Sequence, residues 1–160
     1  MGLAEAVTPF AFLLGSWSGA GTGVYPTIRP FRFAHELQVS EDGRPFLEVT
    51  SHTWIVDGEG RRVRAAATEH AFWRPQVGGA IEVVVAHATG IAGILAGHVE
   101  GKRVELEATR LAGTPTAKEV SAERRIYTVE GAELVFAQEL GAVGQALQPH
   151  VTSRLARRAD

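Results

Sequence analysis

Residues 15–25 read Gly-Ser-Trp-Ser-Gly-Ala-Gly-Thr-Gly-Val-Tyr, a stretch with a two-residue period. Successive side chains of a strand point to opposite faces, so Trp17, Tyr25 and the three odd-numbered glycines between them share one face of a predicted β-strand. Glycine weakens a strand interior, and three in register therefore need a physical reason. Either a large flat ligand comes close to the backbone, or the strand bends and aromatic neighbours fill the space.

The same two-residue period recurs to the end of the chain, interrupted by short turns rich in glycine, proline and acidic residues. The pattern predicts ten strands, at residues 17–25, 31–40, 46–56, 63–74, 80–87, 90–98, 103–109, 119–129, 133–139 and 148–156. Long helical segments do not separate these strands, so we expect antiparallel pairing. An open sheet this wide would expose two edges, which favours an all-β, ten-stranded antiparallel up-and-down barrel over the alternative two-sheet sandwich. A barrel with more than about eight strands leaves interior space, so we also expect a ligand cavity.

The one clear helix signal precedes the first strand. Thr8 suits an N-cap, Pro9 suits the first helical position, and Gly15 suits the position after the helix ends. These residues predict a short N-terminal helix that starts at Pro9, has its apolar turns over residues 10–14, and packs on one end of the barrel. The length of 160 residues suits one domain, and we expect residues 8–158 to form it.

The composition excludes several classes of protein. The chain contains no cysteine, which rules out disulfides, thiolate nucleophiles, iron–sulfur clusters and zinc knuckles. A formal charge of -2 at neutral pH gives no sign of a nucleic-acid partner. The N-terminal residues lack a basic region and a long apolar run, so we expect neither a secretory signal nor a membrane partner. These features together predict a cytoplasmic protein.

Apart from Met1, the candidate soft metal ligands are six histidines: His35, His52, His70, His87, His98 and His150. Their spacing matches no tight metal-binding motif. His150 has a distinctive setting, because Pro149 restricts the backbone beside it near the start of the last predicted strand. A lone imidazole that faces a large apolar cavity there would suit the proximal ligand of an iron porphyrin. The alternative is a histidine at a strand end that contacts water.

Other polar groups allow weaker interpretations. Lys118 lies between a turn and a strand, where it is either solvent-exposed or close to an anionic ligand group such as a propionate. The sequence Glu123-Arg124-Arg125 is interpreted as part of a solvated strand face rather than a nucleic-acid site. The absence of a Gly-x-Ser-x-Gly sequence disfavours a hydrolase triad.

The motif Gly15-x-Trp17-x-Gly19-x-Gly21-x-Gly23-x-Tyr25-Pro26-Thr27-Ile28 strongly resembles the signature of the nitrobindin family. Four further stretches are similar to the same family, at residues 72–75, 86–91, 116–120 and 143–150. They follow one another in order, so the resemblance covers roughly residues 10–157. The first motif is long and specific, and the others add to it collectively.

The resemblance implies a lipocalin-like or fatty-acid-binding-protein-like barrel that holds one haem b per chain, as a monomer or homodimer. Such a protein binds nitric oxide and isomerises peroxynitrite to nitrate, which scavenges or senses reactive nitrogen species. The resemblance places the iron ligand, and hence the catalytic centre, on His150. It places further haem contacts on Gly15, Trp17, Gly19, Gly21, Thr27 and Lys118. The family also has a distal histidine in its fourth strand, where this chain offers His70, on the same strand face as Phe72.

Two other functions stay open from the residues alone. The cavity could carry a fatty acid or another hydrophobic molecule, with Arg124 or Lys118 bound to its carboxylate. A barrel without a ligand that acts through its surface ranks last, because it gives the glycine-rich face no purpose.

Overall fold

In the computed structural model, which describes residues 4–159, ten strands close into one antiparallel ring. The strands are β1 Gly15–Tyr25, β2 Ile28–Ser40, β3 Leu47–Val56, β4 Arg62–Pro75, β5 Ala80–His87, β6 Ile91–Glu100, β7 Arg103–Gly113, β8 Val120–Glu130, β9 Glu133–Ala142 and β10 Gln148–Arg157. Each strand pairs with its neighbours in sequence, and β1 closes the ring by pairing with β10. The predicted ten-stranded up-and-down barrel is therefore confirmed, and the sandwich is excluded.

The N-terminal helix is a 3-10 helix over Glu5–Leu13, longer than predicted and starting earlier. Thr8 is not its N-cap, and Pro9 lies inside it rather than at its first position. Val7, Phe10 and Leu13 are almost completely buried in the barrel core. A 3-10 helix has three residues per turn, so this spacing of three places all three side chains on one face. Burial of that face against the barrel favours the 3-10 form. The capping residues of the sequence carry no information on this burial.

The helix closes one end of the barrel. Large apolar side chains fill the barrel next to it, among them Trp17, Leu37, Leu47, Trp73, Ile81, Leu95, Leu106, Leu134 and Leu155. The opposite end, which we call the mouth, is formed by the turns at residues 26–27, 57–61, 88–90, 114–119 and 143–147. A second, three-residue 3-10 helix lies at Val77–Gly79, before β5. Within the described range, neither helix is long and apolar enough to cross a membrane.

The glycines of β1 are explained by close neighbours on both sides. A Cβ atom on Gly19 would overlap the backbone of β10, and one on Gly21 or Gly23 would overlap a phenylalanine ring of β2. The two rings belong to Phe31 and Phe33, which lie on the inner face of β2. Of the two explanations offered by the sequence, the structure shows aromatic neighbours in the space that the glycines leave.

Candidate functional site

His150 lies at the mouth where two β-bulges meet. The pairing of β10 with β9 shifts between Pro149 and Val151, which leaves His150 without a cross-strand partner on β9. On the other side, the pairing of β1 with β2 shifts between Gly23 and Tyr25, at Val24. A bulge bends its strand and re-aims a side chain, and such bulges are common beside functional sites.

A hydrogen bond fixes the tautomer of His150. Its Nδ1 atom lies 3.0 Å from the backbone carbonyl oxygen of Val24. A carbonyl oxygen can only accept, so Nδ1 carries the proton and donates it. The other ring nitrogen, Nε2, therefore presents a lone pair, which is the form that binds a metal.

Two aromatic residues of the inner face hold the imidazole in place. The ring centroid of His150 lies 5.2 Å from that of Tyr25 and 6.1 Å from that of Phe31, edge to face in both cases. The Tyr25 hydroxyl accepts a hydrogen bond from the Ala142 amide at 2.8 Å and donates to the Leu140 carbonyl at 3.1 Å. Tyr25 thus ties β1 to the end of β9 and fixes the strand ends around the imidazole.

The donor set at the mouth fits haem. A single imidazole with a free lone pair suits a metal that arrives with its other ligands in place, as the iron of a porphyrin does. His150 is half-buried, so part of this residue is exposed at the mouth. The Nδ1 atom is hydrogen-bonded to the Val24 carbonyl, which is the usual arrangement for a histidine that binds a metal through its other nitrogen.

Residues 6–157 match the family described as "THAP4-like, heme-binding beta-barrel domain". The chain belongs to this family. The resemblance to the nitrobindin family is thereby confirmed, and the chain is a haem-binding barrel.

Named relatives of this haem-binding barrel agree with the family. The peroxynitrite isomerase of Streptomyces griseus is 43% identical over 155 residues, which cover 96% of this chain and 84% of the relative. Peroxynitrite isomerase 1 of Mycobacterium tuberculosis is 41% identical over 163 residues, covering 98% of this chain and 97% of the relative. The crystal structure of Rv2717c from M. tuberculosis superposes with a TM-score of 0.88 at 39% identity, covering 99% and 100% of the two chains.

The structure brings some of the predicted site residues of the haem-binding barrel to the mouth. Thr27 lies in the turn between β1 and β2, and Lys118 lies in the turn between β7 and β8, both exposed. The turn that carries Lys118 contacts the turn before β10, because the Val143 amide donates to the Glu119 carbonyl at 3.0 Å. Thr27, Lys118 and His150 therefore share one end of the barrel.

Other predicted site residues lie deeper or at the opposite end. Trp17 is buried, and its indole N–H donates to the Leu13 carbonyl of the 3-10 helix at 2.9 Å. Gly15 lies next to Arg157, whose guanidinium carbon is 4.2 Å from the centre of the Trp17 ring. At about 3.3 Å per residue, Trp17 is roughly 20 Å along β1 from the glycine beside the mouth. The structure does not bring Gly15 and Trp17 together with His150.

The faces of β4 show whether His70 points into the barrel. His70 lies on the outer face of β4 with Phe72, and both side chains are exposed. Its ring packs 6.1 Å from that of His52, which is also on the outside of the barrel. His70 therefore does not face the inside of the haem-binding barrel.

A buried ionic cluster lies inside the barrel and was missed by the sequence interpretation. Arg125 was expected on a solvated face, but its guanidinium is buried and binds the carboxylates of both Glu69 and Glu123. The Gln138 side chain donates a further hydrogen bond to Glu123 at 2.7 Å. The sequence held a sign of this burial. Glu123 and Arg125 are two and one strand repeats before Tyr127, so they share the inner face with this aromatic residue.

Burial and charge act in opposite directions within this cluster. Burial works to raise the pKa of Glu69, but the charge and hydrogen bonds of Arg125 outweigh it and hold that pKa below its usual value. Nearby His35 is neutral at physiological pH, because burial lowers its pKa to about 4. Burial also raises the pKa of Tyr127 to about 12. The interior beneath the mouth therefore holds one arginine paired with two carboxylates, a neutral imidazole and a neutral phenol.

Proposed function

We propose that this haem-binding barrel is a peroxynitrite isomerase that binds haem b through Nε2 of His150 and converts peroxynitrite to nitrate. The observation that carries the proposal is the hydrogen bond from Nδ1 to the Val24 carbonyl, which leaves Nε2 free as a ligand at the mouth. The family is a haem-binding one, and relatives at about 40% identity are named peroxynitrite isomerase. One haem per chain and the binding of nitric oxide are part of the same proposal.

The residues of the chain hold and orient the group. The Val24 carbonyl fixes the imidazole and raises its basicity, which strengthens its bond to a metal. Tyr25 and Phe31 restrict rotation of the His150 ring by packing against it. When bound, ferric haem supplies a Lewis-acidic iron for the rearrangement of peroxynitrite.

The other predicted contacts take different parts in this proposal. Thr27 and exposed Lys118 are placed to contact the rim of a ligand in the mouth, Lys118 through its charge. Gly19 and Gly21 belong to the inner wall of β1. Gly15 and Trp17 act indirectly, by fixing the start of β1 against the 3-10 helix. We infer further that residues 8–158 act as one lipocalin-like domain, while a cytoplasmic location and a monomeric or homodimeric state stay predictions.

The carrier hypothesis needs a cation that is free to bind a carboxylate. Arg124, one of its two suggested partners beside Lys118, lies 3.3 Å from Glu105 and 3.5 Å from Glu139 in two ion pairs. The adjacent Arg125 points into the barrel, but Glu69 and Glu123 already bind it. These ion pairs make a fatty-acid carboxylate a poor competitor at either arginine.

The activity is tested by stopped-flow measurement of peroxynitrite decay with product analysis. We expect haem-loaded protein to accelerate the decay and to raise the ratio of nitrate to nitrite, relative to the haem-free protein and to free haemin. The His70→Ala variant is the matched control, because it removes an exposed histidine of the outer face. Decay at the same rate with and without haem would overturn the proposal.

A further inference from the structure

A second histidine reaches the mouth from the opposite side of the barrel. His87 is the last residue of β5, in which buried and exposed residues alternate. The buried positions of this strand are Ile81, Val83 and Val85. His87 continues their series, so its half-buried side chain lies on the inner face at the mouth.

The ring order places His87 across the barrel from His150. Going round the closed sheet from β10, five steps lead to β5 in either direction. Both histidines lie at the same end, since His150 is near the start of β10 and His87 is at the end of β5. The two imidazoles therefore belong to opposite walls of the mouth.

The tautomer of His87 is the reverse of that of His150. The Thr89 backbone amide donates to Nδ1 of His87 at 3.3 Å, and the Thr89 hydroxyl lies 2.7 Å from the same atom. A backbone N–H can only donate, so Nδ1 of His87 is an acceptor, and the proton of the neutral ring is on Nε2. One wall of the mouth thus presents a lone pair, and the facing wall presents an N–H donor.

Among the described residues, the hydrogen bonds of the His87 ring go to Nδ1, and its Nε2–H group makes none. Its cross-strand neighbours are Glu69 on β4 and Ile91 on β6. Arg125 binds both oxygens of the Glu69 carboxylate, so this carboxylate has a partner of its own. On the β6 side of His87 the inner wall is apolar: a Cβ atom on Gly93 would lie 3.1 Å from Leu111 and 3.3 Å from Val85. A donor in an apolar wall binds an anion more strongly than the same donor in water does.

We propose that His87 donates a hydrogen bond from Nε2 to the anion that binds in the mouth opposite His150, and so positions peroxynitrite for isomerisation. The proposal rests on the proposed function, because it requires haem held by His150. Peroxynitrite is a small anion with acceptor oxygens, which a neutral N–H donor recognises without a second charge. In the sequence, His87 lies in the family-like stretch at residues 86–91 but receives no role, since its place opposite His150 depends on barrel closure.

Fluoride binding to the ferric, haem-loaded protein tests this role without using the isomerase activity. Fluoride is a small anion that accepts hydrogen bonds, and its binding is followed in the visible spectrum of ferric haem. We expect His87→Leu and His87→Phe to bind fluoride about three- to tenfold more weakly than wild type, as expected for the loss of one hydrogen bond. His87→Gln keeps an N–H donor and should remain within about twofold of wild type. His98→Leu is the control, because His98 is exposed on the outer face of β6.

The outcomes separate this proposal from the proposed function. Wild-type fluoride affinity in either His87→Leu or His87→Phe, with normal haem uptake, would overturn the role of His87 and leave the haem site intact. Equal weakening in His87→Gln and His87→Leu would also overturn it, because loss of packing rather than of the donor would then be responsible. Failure of wild type to take up haemin would overturn both proposals.

Discussion

Acidification should destabilise the protein through one buried histidine. His35 is 2% exposed, and its two ring nitrogens lie 2.9 Å from the hydroxyl oxygens of Ser153 and Ser51. Both nitrogens are therefore satisfied in the neutral ring. Burial disfavours the imidazolium and lowers the pKa of His35 from 6.5 to about 4.

The sign and size of the effect follow from this difference in pKa. The unfolded chain protonates His35 as the pH falls through 6.5, whereas the folded protein does so only near 4. The contribution of His35 to stability is therefore fully present above pH 6.5 and declines towards pH 4, by about 3 kcal/mol in all. Roughly 2 kcal/mol of it should be lost at about pH 5. The Glu69 carboxylate has a lowered pKa, so its own contribution is lost only at still lower pH.

Urea unfolding of the haem-free protein at about pH 7.5 and about pH 5 measures this loss. The His35→Gln variant should be less stable than wild type at the higher pH but should lose about 2 kcal/mol less on acidification. His98→Gln, which changes an exposed histidine, should behave as wild type does. An equal loss of stability in wild type and His35→Gln would show that His35 is not the group responsible.

Three further substitutions test the packing around the site. Tyr25→Phe should lower the free energy of unfolding by about 1–3 kcal/mol, because buried backbone groups of β9 lose their partner; thermal unfolding measures this. Arg125→Met should lower the free energy of unfolding, measured in urea, by about 3–5 kcal/mol. Adding Glu69→Leu to this variant should restore part of that free energy, because it removes a buried carboxylate that has lost its partner. Gly23→Ala should lower the free energy of unfolding in urea by about 1–3 kcal/mol, because the new methyl group overlaps the Phe31 ring. The same change at Gly58, which is exposed and has no close neighbour, should leave this free energy almost unchanged.

The barrel was predictable because its determinants are local. A two-residue period and short turns identify strands wherever they pair, and ten strands without long helices favour closure over an open sheet. β7 continues four residues past the predicted end at Thr109, since a bulge keeps it paired with β6 up to Gly113. The 3-10 helix was misplaced because the burial of Val7, Phe10 and Leu13 outweighed the capping signals.

The interior and the mouth depend on contacts that are distant in sequence. Glu69 and Arg125 are 56 positions apart, so the residues next to either one in the sequence do not reveal that the two form an ion pair. The Val24 carbonyl that orients His150 is 126 positions away, and a register shift lies beside each of the two residues. The resemblance could point to His150, but its tautomer required the structure.

Titration with haemin, followed in the Soret region of the visible spectrum, tests most directly whether His150 holds the haem. We expect wild type and His70→Ala to give the same shifted Soret band and to saturate at one haemin per chain. His150→Ala should lose that spectrum, because it removes the imidazole that the Val24 carbonyl orients. An unshifted Soret band in wild type, or the wild-type spectrum in His150→Ala, would contradict the account.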